Sequence, residues 1–586
     1  MSSTVLKSGP KTVLQVEDLR IRFPGPAGSF EQGAVTALEG LSFDLAAGQV
    51  LGLVGESGSG KSAAALALLG LHRGTGAEVG GAVLLHRDGV PETDINGIGD
   101  AQLRRLRGPE LAMVFQDPLT SLDPYRTVGA QIAAVHRLHT GSSRATARER
   151  SADALDRVGI DPVTRYGSYP HEFSGGMRQR ALIAMALVLR PRVLIADEPT
   201  TALDVTVQAQ ILDLLDELRA ETGMGLVLIS HDLGVVAGIA DDVLVLRRGE
   251  AVEHGPVGRV LAAPAHEYTR TLLAAVPRID APLTERQEPE AAGSPEAEVL
   301  LRAENLTVRY LGGSGRFART ARSGTVPALN GVDLEIRRGE SLGIVGESGS
   351  GKTTLGRALV RLLDPSEGRV LYRGEDIGRW RGQTLRRSRR DLQMVFQDPA
   401  SSLNPRRSIG DSVAEPLRVV GVKDARQLRS RAGNLLERVG LGSEVHDRYP
   451  HQLSGGQRQR AAIARALILE PRVVVCDEPV SALDVTTQAQ VVALLAELRA
   501  DFDLTLVFIA HDLAVVRQVS DRIAVMRQGE IVETLPAASL TEAVHPYTRA
   551  LLHAVPTPDP TAARDQRRAR VPAAPAAGGD QVAAVG

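Results

Sequence analysis

The sequence predicts an α/β fold built as two tandem P-loop nucleotide-binding domains, each with a mostly parallel sheet at its core. Three observations carry this. A glycine-rich loop occurs twice, a pair of adjacent carboxylates occurs twice behind it, and short apolar runs with the character of buried strands precede both.

The loop Gly55-Glu56-Ser57-Gly58-Ser59-Gly60-Lys61-Ser62 recurs as Gly346-Glu347-Ser348-Gly349-Ser350-Gly351-Lys352-Thr353, and both fit G-x-x-x-x-G-K-[ST]. A chance match in this composition is expected on the order of 0.005 times per chain, so two ordered copies are no accident. Lysine usage points the same way. The 68 basic residues include five lysines, Lys7, Lys11, Lys61, Lys352 and Lys423, and two of these stand in the loops. A compact ammonium on a flexible stem reaches between phosphates where a planar guanidinium is too wide.

Composition narrows the rest. At 586 residues each repeat is long enough to bury a full core. The net charge of −2 supplies no basic field to recruit nucleic acid or anionic lipid. The one cysteine, Cys476, lies in the run Val473-Val474-Val475-Cys476 and reads as a buried strand residue. A disulfide or cysteine-held metal cluster within one chain is thereby excluded, which suits a reducing cytosol. The N-terminus lacks the basic start and apolar run of a secretion signal, and the longest apolar stretch, Ala181 to Leu189, is half of what crosses a bilayer.

Taken in order, residues 1–12 read as a disordered start, 13–279 as the first domain, 280–298 as a Pro/Glu/Ala-rich linker, 299–556 as the second domain and 557–586 as a disordered tail. The linker, fully extended, spans about 60 Å, enough for the halves to pair within one molecule. Val50-Leu51-Gly52-Leu53-Val54 is the strand before the first loop, and a helix follows from Ala63 to Leu71. Matching motifs lie 291 residues apart at the loops and 280 apart further on. Half one therefore carries about ten extra residues between Lys61 and Gln116, expected as a longer hairpin near Asp88-Gly89. Half two has an Arg- and Gly-rich insertion around 312–324, and helical insertions are expected near 128–172 and 409–452. The basic stretches Arg104-Arg105-Leu106-Arg107 and Arg386-Arg387-Ser388-Arg389-Arg390 have no interleaved aromatics and read as solvated faces.

In such a loop the glycines let successive backbone N–H groups face phosphate oxygens, and the following helix adds its positive end. Lys61 and Lys352 neutralise phosphate charge, and the hydroxyls of Ser62 and Thr353 face Mg²⁺. Further on, Val193-Leu194-Ile195-Ala196-Asp197-Glu198-Pro199 matches Val473-Val474-Val475-Cys476-Asp477-Glu478-Pro479. Adjacent carboxylates at a strand's end are costly unless a cation or a reaction uses them. Asp197 and Asp477 are expected beside the Mg²⁺ shell, with Glu198 and Glu478 orienting and polarising the attacking water.

Ser174-Gly175-Gly176-Met177-Arg178-Gln179-Arg180 and Ser454-Gly455-Gly456-Gln457-Arg458-Gln459-Arg460 resemble the signature motif of ABC transporter ATPases. Gln116 and Gln397 fit that family's Q-loops, Thr201-Ala202-Leu203-Asp204 and Ser481-Ala482-Leu483-Asp484 its D-loops, and His231 and His511 its switch histidines. The resemblance covers roughly residues 13–277 and 299–556. It implies an antiparallel β part beside each parallel sheet, and ATP held head to tail between the halves. Site one then joins Lys61 to Ser454, Gly455, Gly456 and Gln457. Site two joins Lys352 to Ser174, Gly175, Gly176 and Met177.

The resemblance further assigns ATP to Gly55, Ser57, Gly58, Gly60, Lys61, Ser62, Ala63 and Gln116, and to Gly346, Ser348, Gly349, Gly351, Lys352, Thr353, Thr354 and Gln397. It gives the adenine to Phe23 and Tyr310. Mg²⁺ falls to Ser62, Gln116 and Asp197 in one half and to Thr353, Gln397 and Asp477 in the other. Catalysis falls to Glu198, Glu478, His231 and His511. Phe173 and Met177 depart from the common Leu and Gln, which half two keeps as Leu453 and Gln457. Site two is therefore expected to handle ATP differently, while hydrolysis is expected at both.

Gln116-Asp117-Pro118-Leu119-Thr120-Ser121-Leu122-Asp123-Pro124, its counterpart Gln397 to Pro405, the Tyr-Pro-His segments at 169 and 449 and the Tyr-Thr-Arg segments at 268 and 547 resemble the peptide, nickel and opine importer branch. That implies two integral-membrane permeases, an extracytoplasmic solute-binding protein, no nucleic acid, and a peripheral place on the cytoplasmic face of the membrane. A groove of Q-loop and helical region would grip a permease helix. The rivals are a soluble twin-ATPase translation factor, expected to show a long charged linker and usually no switch histidine, and an exporter ATPase, which the post-Q-loop segments do not fit. The transported solute stays open among peptide, glutathione, nickel and opine.

Overall fold

The computed structural model describes residues 11–25, 30, 33–201, 203–281, 298–310, 327–481 and 483–570. The start at 1–10, most of the linker (282–297), the insertion around 312–324 and the tail from 571 onward lie outside them. The chain forms two compact units. The first comprises residues 1–199, 209–274 and 556–586, and the second residues 200–208 and 275–555. The units thus differ from the linear domains at residues 200–208, at 275–279 and from 556 onward.

In half one, β1 (Thr12–Phe23), β2 (Val35–Ala46), β4 (Glu78–Arg87) and β5 (Val90–Asp94) make an antiparallel sheet in the order β2-β1-β4-β5. Side chains of β2 alternate between buried and exposed along much of its length, as expected of a sheet with one face in a core. A second sheet has the order β10-β9-β3-β8-β7-β6, from β3 (Val50–Val54), β6 (Leu111–Val114), β7 (Val193–Asp197), β8 (Gly225–Ser230), β9 (Asp242–Arg247) and β10 (Glu250–Pro256). It is parallel from β9 to β6, with β10 antiparallel at its edge. Each residue of β3, β7 and β8 is buried, the reason these strands read as unbroken apolar runs. One hydrophobic cluster joins both sheets to the helix Lys61–Leu68, with Leu14, Ile21, Leu41 and Val83 from one sheet and Leu51, Ile195 and Ile229 from the other.

Half two repeats the plan. Its antiparallel sheet is β12-β11-β14-β15, from β11 (Val299–Val308), β12 (Leu329–Arg337), β14 (Glu367–Tyr372) and β15 (Glu375–Asp376). Its mostly parallel sheet is β16-β17-β18-β13-β19-β20, from β13 (Ser341–Val345), β16 (Leu392–Val395), β17 (Val473–Asp477), β18 (Thr505–Ile509), β19 (Arg522–Arg527) and β20 (Glu530–Pro536). The extra length of half one falls largely in the hairpin turning at Asp88-Gly89, where β4 and β5 have 10 and 5 residues against 6 and 2 for β14 and β15. Cys476 is buried in β17, and burial pushes its thiol up to about 12. The helical insertions are present as Val128–Thr140 with Arg144–Arg157, and as Ile409–Val419 with Ala425–Arg438. Among the described residues, no helix is long and apolar enough to cross a membrane.

Two expectations need correction. The tail is not wholly irregular: Pro560–Arg570 is a helix, docked in the first unit. Arg567 donates to Asp213 (2.8 Å), Asp216 (2.9 Å) and the carbonyl of Gly238 (3.0 Å), and Arg564 donates to the carbonyl of Ala240 (3.0 Å). Nor is Arg107 part of a solvated face. Arg104 and Arg105 are exposed, but Arg107 donates to the carbonyls of Leu69 and Gly70, both at 2.8 Å, and so satisfies acceptors at the end of the glycine-loop helix.

Candidate active site

The strand order brings the functional side chains together. β3, β8, β7 and β6 are adjacent and parallel, so the segments leaving their C-terminal ends all emerge at one edge of the sheet. After β3 comes the glycine loop, at the end of β7 Asp197 and after it Glu198, after β8 His231, and shortly after β6 Gln116. β13, β17, β18 and β16 do the same for Gly346–Thr353, Asp477-Glu478, His511 and Gln397.

The loop is closed by its lysine. Nζ of Lys61 donates to the carbonyls of Gly55 (2.7 Å) and Glu56 (2.8 Å), and Nζ of Lys352 to those of Gly346 (2.7 Å) and Glu347 (2.8 Å). Burial lowers the Lys352 pKa, against the opposing pull of Glu478, Asp204 and Asp477. Gly60 leads into the helix with φ 105°, where a Cβ would stand 2.3 Å from the carbonyl oxygen of Ala37. Gly351 is alike, with φ 103° and 2.5 Å to the carbonyl oxygen of Ala328. A side chain at either position would be strained by conformation and by contact.

Ser62 Oγ lies 3.5 Å from Asp197 Oδ1, and Thr353 Oγ1 lies 3.0 Å from Asp477 Oδ1. Both aspartates are buried, which raises their pKa against those hydroxyl contacts. A buried carboxylate beside a hydroxyl is a hard oxygen donor set short of positive charge, and it fits Mg²⁺. Among the described residues no group of three or more His, Cys, Asp or Glu is placed to hold an ion.

Glu198 and Glu478 sit one step past the strands with φ 47° and 46°, a left-handed conformation that is costly for glutamate and is fixed by N–H bonds to the carbonyls of Ile229 (3.0 Å) and Ile509 (2.9 Å). Each carboxylate receives Nε2 of its glutamine, Gln116 at 2.9 Å and Gln397 at 2.7 Å. Each also faces its histidine, with His231 Nδ1 at 3.2 Å and His511 Nδ1 at 3.9 Å. Burial works against the imidazolium of both histidines, but the glutamate bonds and charges outweigh it and raise their pKa. Burial likewise opposes ionisation of Glu478, but the bond and charge of His511, the Lys352 ammonium and the Gln397 bond together outweigh it, so the carboxylate is held below its ordinary value.

The signature segments cap the helices Gly175–Leu187 and Gly455–Leu467. Ser174 Oγ accepts the N–H of Met177 (3.3 Å) and Ser454 Oγ that of Gln457 (3.2 Å). In half two Gln457 Oε1 also accepts the N–H of Ser454 (3.1 Å), completing a capping box that Met177 leaves open. Phe173 and Leu453 are both buried, so that exchange keeps an apolar plug. The two expected adenine partners differ. Tyr310 is exposed and its hydroxyl lies 3.2 Å from Thr354 Oγ1, whereas Phe23 packs against the hydrophobic cluster.

A family model described as ABC transporter matches residues 38–201 and 329–481. The chain belongs to the ABC transporter family. As an ABC ATPase it binds ATP and couples its hydrolysis to transport. A second model, described as oligopeptide/dipeptide transporter, C-terminal region, matches residues 252–299 and 532–579. The chain is 48% identical over 575 residues to the glutathione import ATP-binding protein GsiA of Escherichia coli (strain K12), covering 95% of this chain and 91% of that one. It is 47% identical over 577 residues to the protein of the same name from Salmonella typhimurium (strain LT2), covering 95% and 92%.

Several contacts of these ABC loops were not singled out from sequence. The phenolic oxygens of Tyr268 and Tyr547 accept the N–H groups of Glu56 (3.2 Å) and Glu347 (3.0 Å). Within the second unit, Asp204 Oδ2 accepts the N–H of Ser348 (3.1 Å), and Thr206 Oγ1 lies 3.1 Å from Glu347 Oε1. The tyrosine carried a readable signal, since it stands in both repeats within the same Tyr-Thr-Arg segment.

Proposed function

We propose that this chain is the ATP-hydrolysing subunit of an importer for peptides or related small solutes, glutathione among them, working from the cytoplasmic face of the membrane with two permeases and an extracytoplasmic binding protein. The observation that carries the reading is the pairing, in each half, of a glycine loop and its lysine with a strained glutamate held between glutamine and histidine. Two matches to the oligopeptide/dipeptide transporter C-terminal region support the importer branch, as do His231 and His511 against a translation factor.

In this reading loop N–H groups and the lysine ammonium bind the phosphates. Ser62 with Asp197, and Thr353 with Asp477, would hold Mg²⁺ together with Gln116 and Gln397. Bound there, the ion supplies neutralisation of phosphate charge. Glu198 and Glu478 orient and polarise the attacking water, while His231 and His511 fix the carboxylates from the far side. Ser454 to Gln457 complete the site of Lys61 and Ser174 to Met177 that of Lys352. ATP touching both halves favours their closure, and closure moves the permeases. The adenine partner that fits best is Tyr310.

The test is ATP turnover by the complex reconstituted with its permeases. Glu198→Gln and Glu478→Gln each lower turnover by at least about half, and together by about a hundredfold or more. One substitution leaving turnover unchanged overturns hydrolysis at both sites. Stimulation by glutathione or short peptides, added with the binding protein, identifies the solute class.

A further inference from the structure

We propose that Tyr268 and Tyr547 are positioning residues for ATP: each phenol fixes one of the two peptide units that aim the glycine-loop lysine at the phosphates. The inference rests on the reading of these loops as ATP sites and adds a part to it that lies outside the nucleotide-binding motifs.

The geometry is that of a single planar unit gripped from two sides. The carbonyl of Gly55 and the N–H of Glu56 belong to one peptide plane and point in opposite directions. The carbonyl accepts Lys61 Nζ at 2.7 Å, and the N–H donates to the Tyr268 phenol at 3.2 Å. In half two the same plane runs from the Gly346 carbonyl, which accepts Lys352 Nζ at 2.7 Å, to the Glu347 N–H, which donates to Tyr547 at 3.0 Å. Because the plane is rigid, holding its N–H sets the direction of the carbonyl, which together with the next carbonyl, that of Glu56 or Glu347, sets the ammonium. The flanking Gly55 and Gly346 impose little conformational restraint of their own, so the hold comes from outside the loop.

The tyrosines are built in firmly. Both are buried, and each has a guanidinium against its ring, Arg247 at 4.9 Å from the centroid of Tyr268 and Arg527 at 5.0 Å from that of Tyr547. Burial, with the neighbouring Glu56 and Glu347 carboxylates, pushes both phenols up to about 12, so they stay protonated. Each stands on a short helix, Glu267–Ala275 and Pro546–Ala554, inside the two stretches matched by the oligopeptide/dipeptide transporter C-terminal region. That region thus acquires a task at the nucleotide.

The experiment uses the full chain with Glu198→Gln and Glu478→Gln, so that ATP is not consumed, and compares Tyr268→Phe, Tyr547→Phe and the pair by ATP titration calorimetry. Loss of one hydrogen bond at the loop is expected to weaken ATP at the affected site about threefold to tenfold. In chains retaining both glutamates, KM for ATP is expected to rise by a similar factor with kcat within about twofold. A change in melting temperature with ATP affinity and KM unchanged assigns the phenols to packing alone and overturns the proposal. Lys61→Ala with Lys352→Ala separates the two levels. If that variant still binds ATP at full affinity, the loops are not the ATP sites and the underlying reading fails. If it does not while both Tyr→Phe variants bind normally, only the tyrosine proposal fails.

Discussion

Met177 and Gln457 occupy equivalent positions and do different things. Gln457 closes a reciprocal cap on Ser454, and at Met177 the N–H of Ser174 lacks that side-chain acceptor. A completed cap is worth about 0.5–1 kcal/mol, so Gln457→Met should lower the stability of the second unit by that amount in urea melts. Met177→Gln should raise that of the first unit by a similar amount. Equal melts for all three proteins would show that the capping glutamine carries no weight. The effect on ATP runs along the same line, because the capped helix start is the part proposed to meet the nucleotide of the opposite half. Phe173 teaches the reverse lesson: it departs from the common residue yet fills the same buried place as Leu453.

Among the elements, the helix Pro560–Arg570 has the composition of a solvated tail, with mostly charged and small residues. Its order comes from where its arginines land. Arg567 is mostly buried and reaches two carboxylates and a backbone carbonyl, and Arg564 takes another carbonyl. Such charge-assisted bonds in a partly buried setting outweigh the weak surface pairs found elsewhere on the chain. Arg567→Ala should destabilise the first unit by about 1–3 kcal/mol, measured by chemical denaturation. Removal of residues 557–586 should do at least as much, and an unchanged midpoint for the truncated chain would reduce the helix to a passive passenger. Arg107 is a parallel case, an arginine within a basic run that turns inward to close the end of the glycine-loop helix.

At the scale of the whole molecule, residues 200–208 fold with the second unit, where Asp204 meets the N–H of Ser348 in the glycine loop. The proposed function has ATP held head to tail, with Lys61 sharing a site with Ser454 and Lys352 with Ser174. The arrangement makes an uneven prediction for pairs of substitutions. With Glu198→Gln and Glu478→Gln as background, Lys61→Ala with Ser454→Ala damages one site and should leave one tightly held ATP per chain. Lys61→Ala with Ser174→Ala damages both and should leave none. Equal retention by the two pairs, measured by rapid filtration, would reject sites shared between halves.

The sequence by itself determined the chemistry and the sheets. The loops, the carboxylate pairs and the apolar strands are local patterns, readable because phosphate binding needs fixed residue types at fixed spacing and a strand buried on both faces needs an unbroken apolar run. It also placed the hairpin at Asp88-Gly89, since repeat against repeat exposes a length difference. Tertiary structure alone decided which distant groups meet: Tyr268 with Glu56, Asp204 with Ser348, Arg107 with Leu69, Arg567 with Asp213 and Asp216. The physical reason is that a hydrogen bond between residues far apart in the chain leaves no periodicity or spacing behind. A tyrosine or arginine carries the same letter whether it faces water or holds a loop, and only the folded chain brings its partner within about 3 Å.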